Sequence, residues 1–263
     1  MEKNQFKMEG ENMITKEELK DYAKTRNLNL GQAEKDYMQT ILLFIIYLES
    51  GKSMVFKGGT AMSKCYGLNR FSEDLDFTCE NEFNIEIIEK GLKRFRINYE
   101  MKKKKYPVGL KIVLRIKGPL YIGIRNSLCR FELDLSFREN VKLQPKLKTI
   151  GRHIEEIPEF QVYAMQEKEI LAEKIRAILA RDKARDVYDL WFLLKKGIEF
   201  DLNLVEEKLK YYHEKWDKNE FMKKLEEKKN IWATELTPLI KETPEFKEVK
   251  DYIKYTISGG KNK

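Results

Sequence analysis

The sequence has few of the residues that build disulfide-linked or zinc-binding proteins. Its 263 residues include only two histidines and three cysteines, an odd number with no Cys-x-x-Cys pair. A disulfide framework or a zinc site is therefore not expected. With so little histidine available, any bound metal should be a hard cation that oxygen ligands hold.

The sequence also lacks a long hydrophobic stretch. The longest apolar run extends from Ile41 to Leu48, whereas a helix that spans a bilayer needs about 20 apolar residues. The N-terminal stretch MEKNQFKMEGENM has no apolar centre of the kind that signal peptides carry. We therefore expect a cytoplasmic protein without a membrane partner.

Charge is abundant and unbalanced. Charged residues make up 36% of the chain and the formal net charge is +8, which favours polyanionic partners such as nucleic acid or nucleotides. Solubility or a lysine-rich composition explains the same surplus equally well. The run Lys102 to Lys105 is interpreted as a solvated hairpin loop, with contact to an RNA backbone as the alternative.

Residue patterns divide the chain into an α+β part and a helical part. Strand-like segments occur at 54–56, 75–77, 97–101, 110–116 and 131–137, between helical segments. Thr15 and Glu18 have the spacing of a capping box, which predicts a helix start there. From Pro158 onward helical periodicity dominates, so we predict two domains, 1–158 and 159–263. Residues 1–13 and the tail SGGKNK are predicted to be loose.

Two aspartates and a carboxylate of a later strand could form a metal site. Asp74 and Asp76 are two residues apart, so in a strand both carboxylates point to one side, and a divalent cation would relieve their repulsion. Glu132, Asp134 and Ser136 share one face of a later strand. A carboxylate from it would complete a two-metal site for phosphoryl chemistry. The alternative is an amphipathic edge strand with its polar face in water.

A double glycine precedes a predicted helix. Glycine lets a backbone approach a triphosphate closely, and a helix N-terminus presents free N–H groups. Hydroxyl and ammonium groups surround the turn, although the P-loop pattern is absent and the glycines could serve the turn alone. The predicted nucleotide-binding residues here are Lys57, Gly58, Gly59, Thr60, Ser63 and Lys64.

Two charged residues lie on predicted inward faces of C-terminal helices. Lys174 is aligned with Leu171 and Ile178, and Asp186 with Leu190. A buried charge without a partner is costly. Lys174 and Asp186 therefore either form a salt bridge between two helices or serve an active site.

The motifs together resemble a known family. FKGGTAMSKCYGLNRFSEDLDF is similar to the opening motifs of the AbiEii/AbiGii toxin nucleotidyltransferases, members of the polymerase-β-like superfamily. The glycine motif matches residues 59–64, and the Asp-x-Asp motif matches Asp74 and Asp76 with Ser72 before them. ELDLSFRE resembles the strand that carries the third carboxylate, Asp134. AEKIRAILARDKARDVYDLWFLL resembles the two later motifs. Lys174 matches their lysine, and Asp186 matches their aspartate in preference to Asp189.

This resemblance, over about residues 50–200, implies a polymerase-β-like nucleotidyltransferase domain with a mixed sheet, followed by a helical region. It implies transfer of a nucleoside monophosphate from an NTP to a hydroxyl, with Mg²⁺ or Mn²⁺, and an RNA acceptor such as tRNA. It also implies the toxin of a toxin–antitoxin or phage-defence pair, with a cognate antitoxin. The alternatives are a non-catalytic binding protein, a metal-dependent nuclease and a protein-directed transferase. The implied catalytic residues are Asp74, Asp76, Asp134, Lys174 and Asp186, with the three strand aspartates as metal ligands and Ser72 added to the nucleotide site.

Overall fold

The computed structural model describes residues 13–80, 82–152 and 154–259. Of the loose lead-in and tail predicted from the sequence, residues 1–12 and 260–263 lie outside the described residues. Within them, no helix is long and apolar enough to cross a membrane.

Helices precede, interrupt and follow the strands of one sheet. The strands are β1 Met54–Lys57, β2 Leu75–Cys79, β3 Tyr99–Tyr106, β4 Gly109–Ile116, β5 Cys129–Ser136, β6 Lys146–Ile150 and β7 Phe160–Ala164. The α-helices are α1 Lys16–Arg26, α2 Leu30–Tyr47, α3 Gly58–Tyr66, α4 Glu86–Arg94, α5 Glu167–Ala180, α6 Ala184–Lys195, α7 Leu202–Lys210, α8 Lys218–Glu227, α9 Trp232–Leu236 and α10 Phe246–Ile257.

The sheet is mixed, with the strand order β3-β4-β5-β2-β1-β7-β6. β2 is parallel to β5 and β1 is parallel to β7, whereas the other neighbours are antiparallel. The predicted α+β class, with a mixed sheet and a helical C-terminal region, is confirmed. The strand β7 follows the predicted boundary at residue 158 and still joins the sheet, and the division into two domains stays a prediction.

Local signals at the first helix are confirmed. The Thr15 hydroxyl accepts a hydrogen bond from the Glu18 N–H at 3.3 Å, and the Glu18 carboxylate accepts one from the Thr15 N–H at 2.6 Å. This reciprocal pair is the capping box that the spacing predicts, and it satisfies N–H groups that have no partner inside the helix.

The lysine run requires a correction. The sequence predicts a hairpin loop at residues 102–105, but they lie within β3, and the turn follows at 107–108. β3 is an edge strand, so its lysines need not be buried, and charge on an edge discourages pairing with other chains. Four consecutive lysines show no alternation of apolar and polar residues, so the pattern conceals the strand. The sequence prediction also misses β6 and β7.

Two apolar cores lie on opposite faces of the sheet. Phe56 and Phe77 point into the first core, together with α2 and α4. Val55 points the other way, into a core that the C-terminal helices dominate. Because side chains alternate along a strand, polar residues such as Asp76 face the C-terminal helices. A cleft lies between this polar strip and α5 and α6.

Candidate active site

Three carboxylates lie together on the polar face of the sheet. Asp76 of β2 is paired in register with Asp134 of the parallel strand β5. Asp74 immediately precedes β2 and lines the same cleft, as do Asp76 and Asp134. Among the residues described, no side chain donates a hydrogen bond to these carboxylates or forms an ion pair with them. The sequence prediction that the three converge on one cleft agrees with this placement.

Burial and nearby negative charge affect the protonation of Asp74 and Asp76. Burial, and then the charge of Asp134, raises the pKa of Asp76 to about 6. Burial, and then Glu132 and Glu73, raises the pKa of Asp74. Both shifts indicate that negative charge is unfavourable here without a cation.

The donor set suits a hard divalent cation, but the ligands are not fully assembled. Within the described ranges, no group of three or more acidic, histidine or cysteine side chains is arranged to hold a metal ion. Magnesium is usually bound by one or two carboxylates and completes its coordination with substrate phosphates and water. Asp76 and Asp134 are neighbouring carboxylates whose negative charges repel each other, and they fit that mode of binding.

The glycine turn lies directly beside these carboxylates. α3 begins at Gly58, and no side chain caps its N-terminus. Gly58 has φ +72°, and a Cβ there would overlap Oδ2 of Asp76. A Cβ at Gly59 would lie 2.5 Å from Nη2 of Arg70 and 2.8 Å from the Ser72 hydroxyl. The absence of side chains therefore lets α3 approach the carboxylates closely, with free backbone N–H groups at its start.

Three other predicted nucleotide-binding residues have distinct surroundings. Lys57, opposite Asp76 in the β1–β2 pairing, contacts Glu173 at 3.2 Å and lines the cleft. Ser72 also lines it. Thr60 is buried, and its hydroxyl donates to the backbone carbonyl of Asp74, which joins α3 to the segment before β2.

Two predicted residues do not reach the cleft. The Lys64 ammonium contacts Asp36 at 2.7 Å and the Thr40 hydroxyl at 2.9 Å, both on α2. Ser63 lines a separate groove beside Trp191. Helix geometry explains this, because residues four and five positions after Gly59 lie a full turn away from the helix start. Their nucleotide-binding role stays a prediction that this placement does not support.

Lys174 and Asp186 form the salt bridge that the sequence left as one alternative. The Lys174 ammonium lies 2.9 Å from Asp186 and 2.6 Å from Asp189. Asp189 also accepts two hydrogen bonds from Arg70 at 2.6 Å, and Asp186 accepts two from Arg181. Both aspartates are fully buried. Lys174 also lines the cleft, whereas Asp186 does not.

These partners stabilise the charged forms of the buried groups. Burial alone would raise the pKa of Asp186, but Lys174 and Arg181 outweigh burial and hold the pKa well below its ordinary value. Arg70 and Lys174 lower the pKa of Asp189 in the same way. We call Arg70, Lys174, Arg181, Asp186 and Asp189 the ion-pair cluster.

Sequence reasoning missed most of the positive side chains of the cleft. Their only signal was the frequency of arginine near the motifs, which does not reveal which side chains face inward. The additional polar residues that line the cleft are Arg70, Tyr106, Arg138, Glu173, Arg176, Arg181, Arg185 and Tyr212.

A mixed sheet with neighbouring carboxylates beside an uncapped helix start suits nucleotidyl transfer, and comparison with known proteins identifies this class of protein. A family model described as the nucleotidyl transferase AbiEii toxin of type IV toxin–antitoxin systems matches residues 42–254. The chain belongs to this family and is a nucleotidyltransferase toxin. Membership implies an NTP substrate and an antitoxin partner, and nucleotidyltransferases of this family generally use divalent metals.

Solved structures support the fold. JHP933 of Helicobacter pylori has a TM-score of 0.57 at 22% identity, covering 87% of this chain and 90% of that chain. MenT4, a nucleotidyltransferase toxin of Mycobacterium tuberculosis, has a TM-score of 0.65 at 17% identity, covering 93% and 89%. A putative nucleotidyltransferase from H. pylori has a TM-score of 0.58 at 21% identity, covering 85% and 93%. No curated protein matches the chain.

Proposed function

We propose that this toxin transfers a nucleoside monophosphate from an NTP to a hydroxyl group of an RNA acceptor, with tRNA as the first candidate, in a reaction that requires Mg²⁺ or Mn²⁺. The observation that carries the proposal is the set of unpaired carboxylates beside the uncapped start of α3. The family supports a toxin paired with an antitoxin, and we extend this to a role in phage defence.

The nucleotide's phosphates would bind at the start of α3. The backbone N–H groups of Gly58 and Gly59 are available there, and the helix dipole favours negative charge. Lys57 adds positive charge, and Ser72 offers a hydroxyl on the same side of the cleft. Thr60 has a supporting role, because its hydroxyl already binds the backbone at Asp74.

Asp74, Asp76 and Asp134 would hold the divalent cation together with phosphate oxygens. The cation would neutralise charge on the phosphates and on the departing pyrophosphate. Asp134 lines the cleft and is exposed, and we assign to it the acceptance of the proton of the attacking hydroxyl. Lys174 lines the same cleft, so its ammonium can approach a phosphate while Arg70 and Arg181 still neutralise the buried aspartates.

The reaction forms one bond and breaks one. The acceptor oxygen bonds to the α-phosphorus, the bond between that phosphorus and the bridging oxygen breaks, and pyrophosphate leaves with the electron pair. The hydroxyl proton passes to a carboxylate. A nuclease would instead direct water at a phosphodiester, and membership of the transferase family favours transfer over this alternative.

The test supplies each of the four α-labelled NTPs, one at a time, with bulk tRNA or total RNA. Parallel reactions contain Mg²⁺, Mn²⁺ or a chelator. We expect label on RNA only when a metal is present, with pyrophosphate released in equal amount.

The other outcomes separate the alternatives. Shortened RNA without label would indicate a nuclease, and label on protein would indicate a protein acceptor. Transfer that persists in the chelator would contradict the metal requirement while leaving the transferase assignment in place.

A further inference from the structure

The positive side chains of the cleft fall into two groups. Most are neutralised by the protein itself, as Lys57 is by Glu173 and Arg181 is by Asp186. Arg138, Arg176 and Arg185 form no ion pair with any acidic side chain in the described part of the chain. Their positive charge is therefore available to an anion that enters the cleft.

Arg138 and Arg176 converge on one aromatic ring. The guanidinium carbon of Arg176 lies 3.9 Å from the centroid of the Tyr212 ring, and that of Arg138 lies 4.7 Å from it. Contact with a ring face orients a guanidinium and leaves its N–H edge free to donate. Nε of Arg176 is buried and has no hydrogen-bond partner among the described residues, and a buried donor of this kind normally has one.

Buried polar groups fix the position of the Tyr212 ring. The Tyr212 hydroxyl donates to the buried carboxylate of Glu139, which also contacts Lys208 at 3.1 Å. Lys208 is fully buried and contacts Glu169 at 2.7 Å. A buried charge network of this kind keeps Tyr212 in one orientation, so both guanidinium groups contact a ring whose position is fixed.

The arginine pair lines the same cleft as the first residues of α3. Glu173 of α5 contacts Lys57, the residue directly before the first residue of α3. Arg176 follows Glu173 by three residues and so lies one helical turn along the same face of α5. The arginine pair therefore borders the place where the nucleotide's phosphates are proposed to bind.

We propose that Arg138 and Arg176, supported by Tyr212, form a second phosphate-binding site in the cleft. Guanidinium groups bind phosphate oxygens through paired N–H donors. The position beside α3 favours the β- and γ-phosphates of the NTP, and a backbone phosphate of the acceptor is the other source of the same chemistry. The choice of source rests on the proposed transferase function, whereas the existence of an anion site does not.

The first experiment uses inorganic tripolyphosphate, which has no base or sugar, as a calorimetric probe of the full chain with magnesium present. We expect Arg138→Gln and Arg176→Gln each to weaken binding about tenfold or more, because each removes a charge-assisted hydrogen bond. Arg152→Gln is the matched control, since Arg152 is exposed and pairs with Glu159 away from the cleft.

The second experiment identifies the source of the phosphate by transfer kinetics. A raised KM for NTP with a nearly unchanged KM for tRNA would assign the site to the nucleotide. Unchanged affinity for NTP and tripolyphosphate, with weaker tRNA binding, would assign it to the acceptor. In that case the slope of log affinity against log salt should fall by about 1 for each arginine–phosphate interaction that a substitution removes.

The proposal is overturned if both arginine variants bind tripolyphosphate and tRNA as tightly as Arg152→Gln does. Arg138 is exposed, so Arg138→Gln should fold even if Arg176→Gln does not, and a thermal melt checks both. If the unmodified chain transfers no nucleotide but loses tripolyphosphate binding on substitution, the transferase mechanism fails while the phosphate site stands.

Discussion

Asp74, Asp76 and Asp134, which we call the carboxylate set, line the same cleft as members of the ion-pair cluster. The two groups differ in whether the protein itself neutralises their charges. Asp74, Asp76 and Asp134 have no cationic partner within hydrogen-bonding distance among the described residues. In the ion-pair cluster, by contrast, Asp186 and Asp189 each contact both a lysine and an arginine.

The carboxylate set is suited to binding a ligand, whereas the ion-pair cluster stabilises the fold. Burial and nearby negative charge raise the pKa values of Asp74 and Asp76 and make the folded state less favourable, a cost that a bound cation can offset. Fully paired buried charges hold α5 and α6 together and connect them to Arg70, the residue that borders Gly59. One region is therefore incomplete without a ligand, while the other is complete in the protein alone.

The largest effect should follow a change in the carboxylate set. Asp74→Asn or Asp76→Asn should reduce nucleotide transfer at least about 10³-fold, because each removes a charged metal ligand but little volume. Transfer of labelled NMP measures the reduction, and calorimetry should show weaker binding of the metal–NTP complex. Asp251→Asn, at an exposed position on α10, is the control. Undiminished transfer in both variants would remove the metal-site assignment.

A change in the ion-pair cluster should act mainly on stability. Lys174→Met should lower the free energy of unfolding by about 3 kcal/mol, near the lower end for a broken buried pair, because Arg70 and Arg181 still neutralise the two aspartates. Transfer by the folded fraction should also fall, since Lys174 lines the cleft. Asp186→Asn should likewise lose stability.

The double variant Lys174→Met with Asp186→Leu decides between the two roles. Thermal melts and transfer assays on Lys174→Met, on Asp186→Leu and on the double variant are compared. A double variant that regains both stability and transfer would leave the cluster with a structural role alone. Regained stability without transfer would support catalytic participation.

A substitution at Gly58 tests whether catalysis depends on the close approach of α3 to the Asp76 carboxylate. Gly58→Ala should reduce transfer about 10²-fold, the scale expected when a reacting group is displaced by about 1 Å, because its Cβ would overlap the Asp76 carboxylate. Gly67→Ala is a matched control at the other end of the same helix, with φ +79° and open space around the added Cβ. Both variants share the backbone strain, so an equal reduction of transfer would show that overlap with Asp76 is not the cause.

The smallest effect is a pair of opposite pH dependences. The folded pKa of Asp76, about 6, exceeds an unfolded value near 3.9, so Asp76 reduces stability as pH rises from about 4 to 6. Asp186 has a lowered folded pKa, so its stabilisation is complete above about pH 5 and is lost as pH falls.

Chelator-treated protein should therefore gain about 1–3 kcal/mol at pH 7 from Asp76→Asn. Denaturant unfolding at several pH values is the measurement. The gain should vanish near pH 4, where Asp76 is protonated in both states. A gain that does not change between pH 4 and 7 would contradict titration of Asp76 as its origin.

Much of the local structure follows from short patterns. The capping box at Thr15 and Glu18, the strand around Asp76 and the alternation along β5 all depend on residues close in sequence, and the structure agrees with them. The patterns fail in β3, where four lysines hide the alternation, and in β6 and β7. In those strands, pairing with neighbours rather than a local signal determines the conformation.

Long-range packing determines which predicted site residues meet. Lys64 lies in the same motif as Gly59, yet it turns toward Asp36 because the helix rotates it away from the cleft. Asp186 matches a catalytic motif, yet it is fully buried between Lys174 and Arg181. Spacing in the sequence shows which residues share a helix face but not which element covers that face.

The sequence by itself determined that Asp74 and Asp76 lie two residues apart where a strand begins, that Gly58 and Gly59 lie where a helix begins, and that the motifs resemble those of a nucleotidyltransferase family. Each of these depends on local geometry or on motif order. Only the tertiary structure decided that Asp134 lies beside Asp76, and that Arg138 and Arg176 meet on Tyr212. Those contacts join elements far apart in the chain, and the packing of the sheet against the C-terminal helices brings them together.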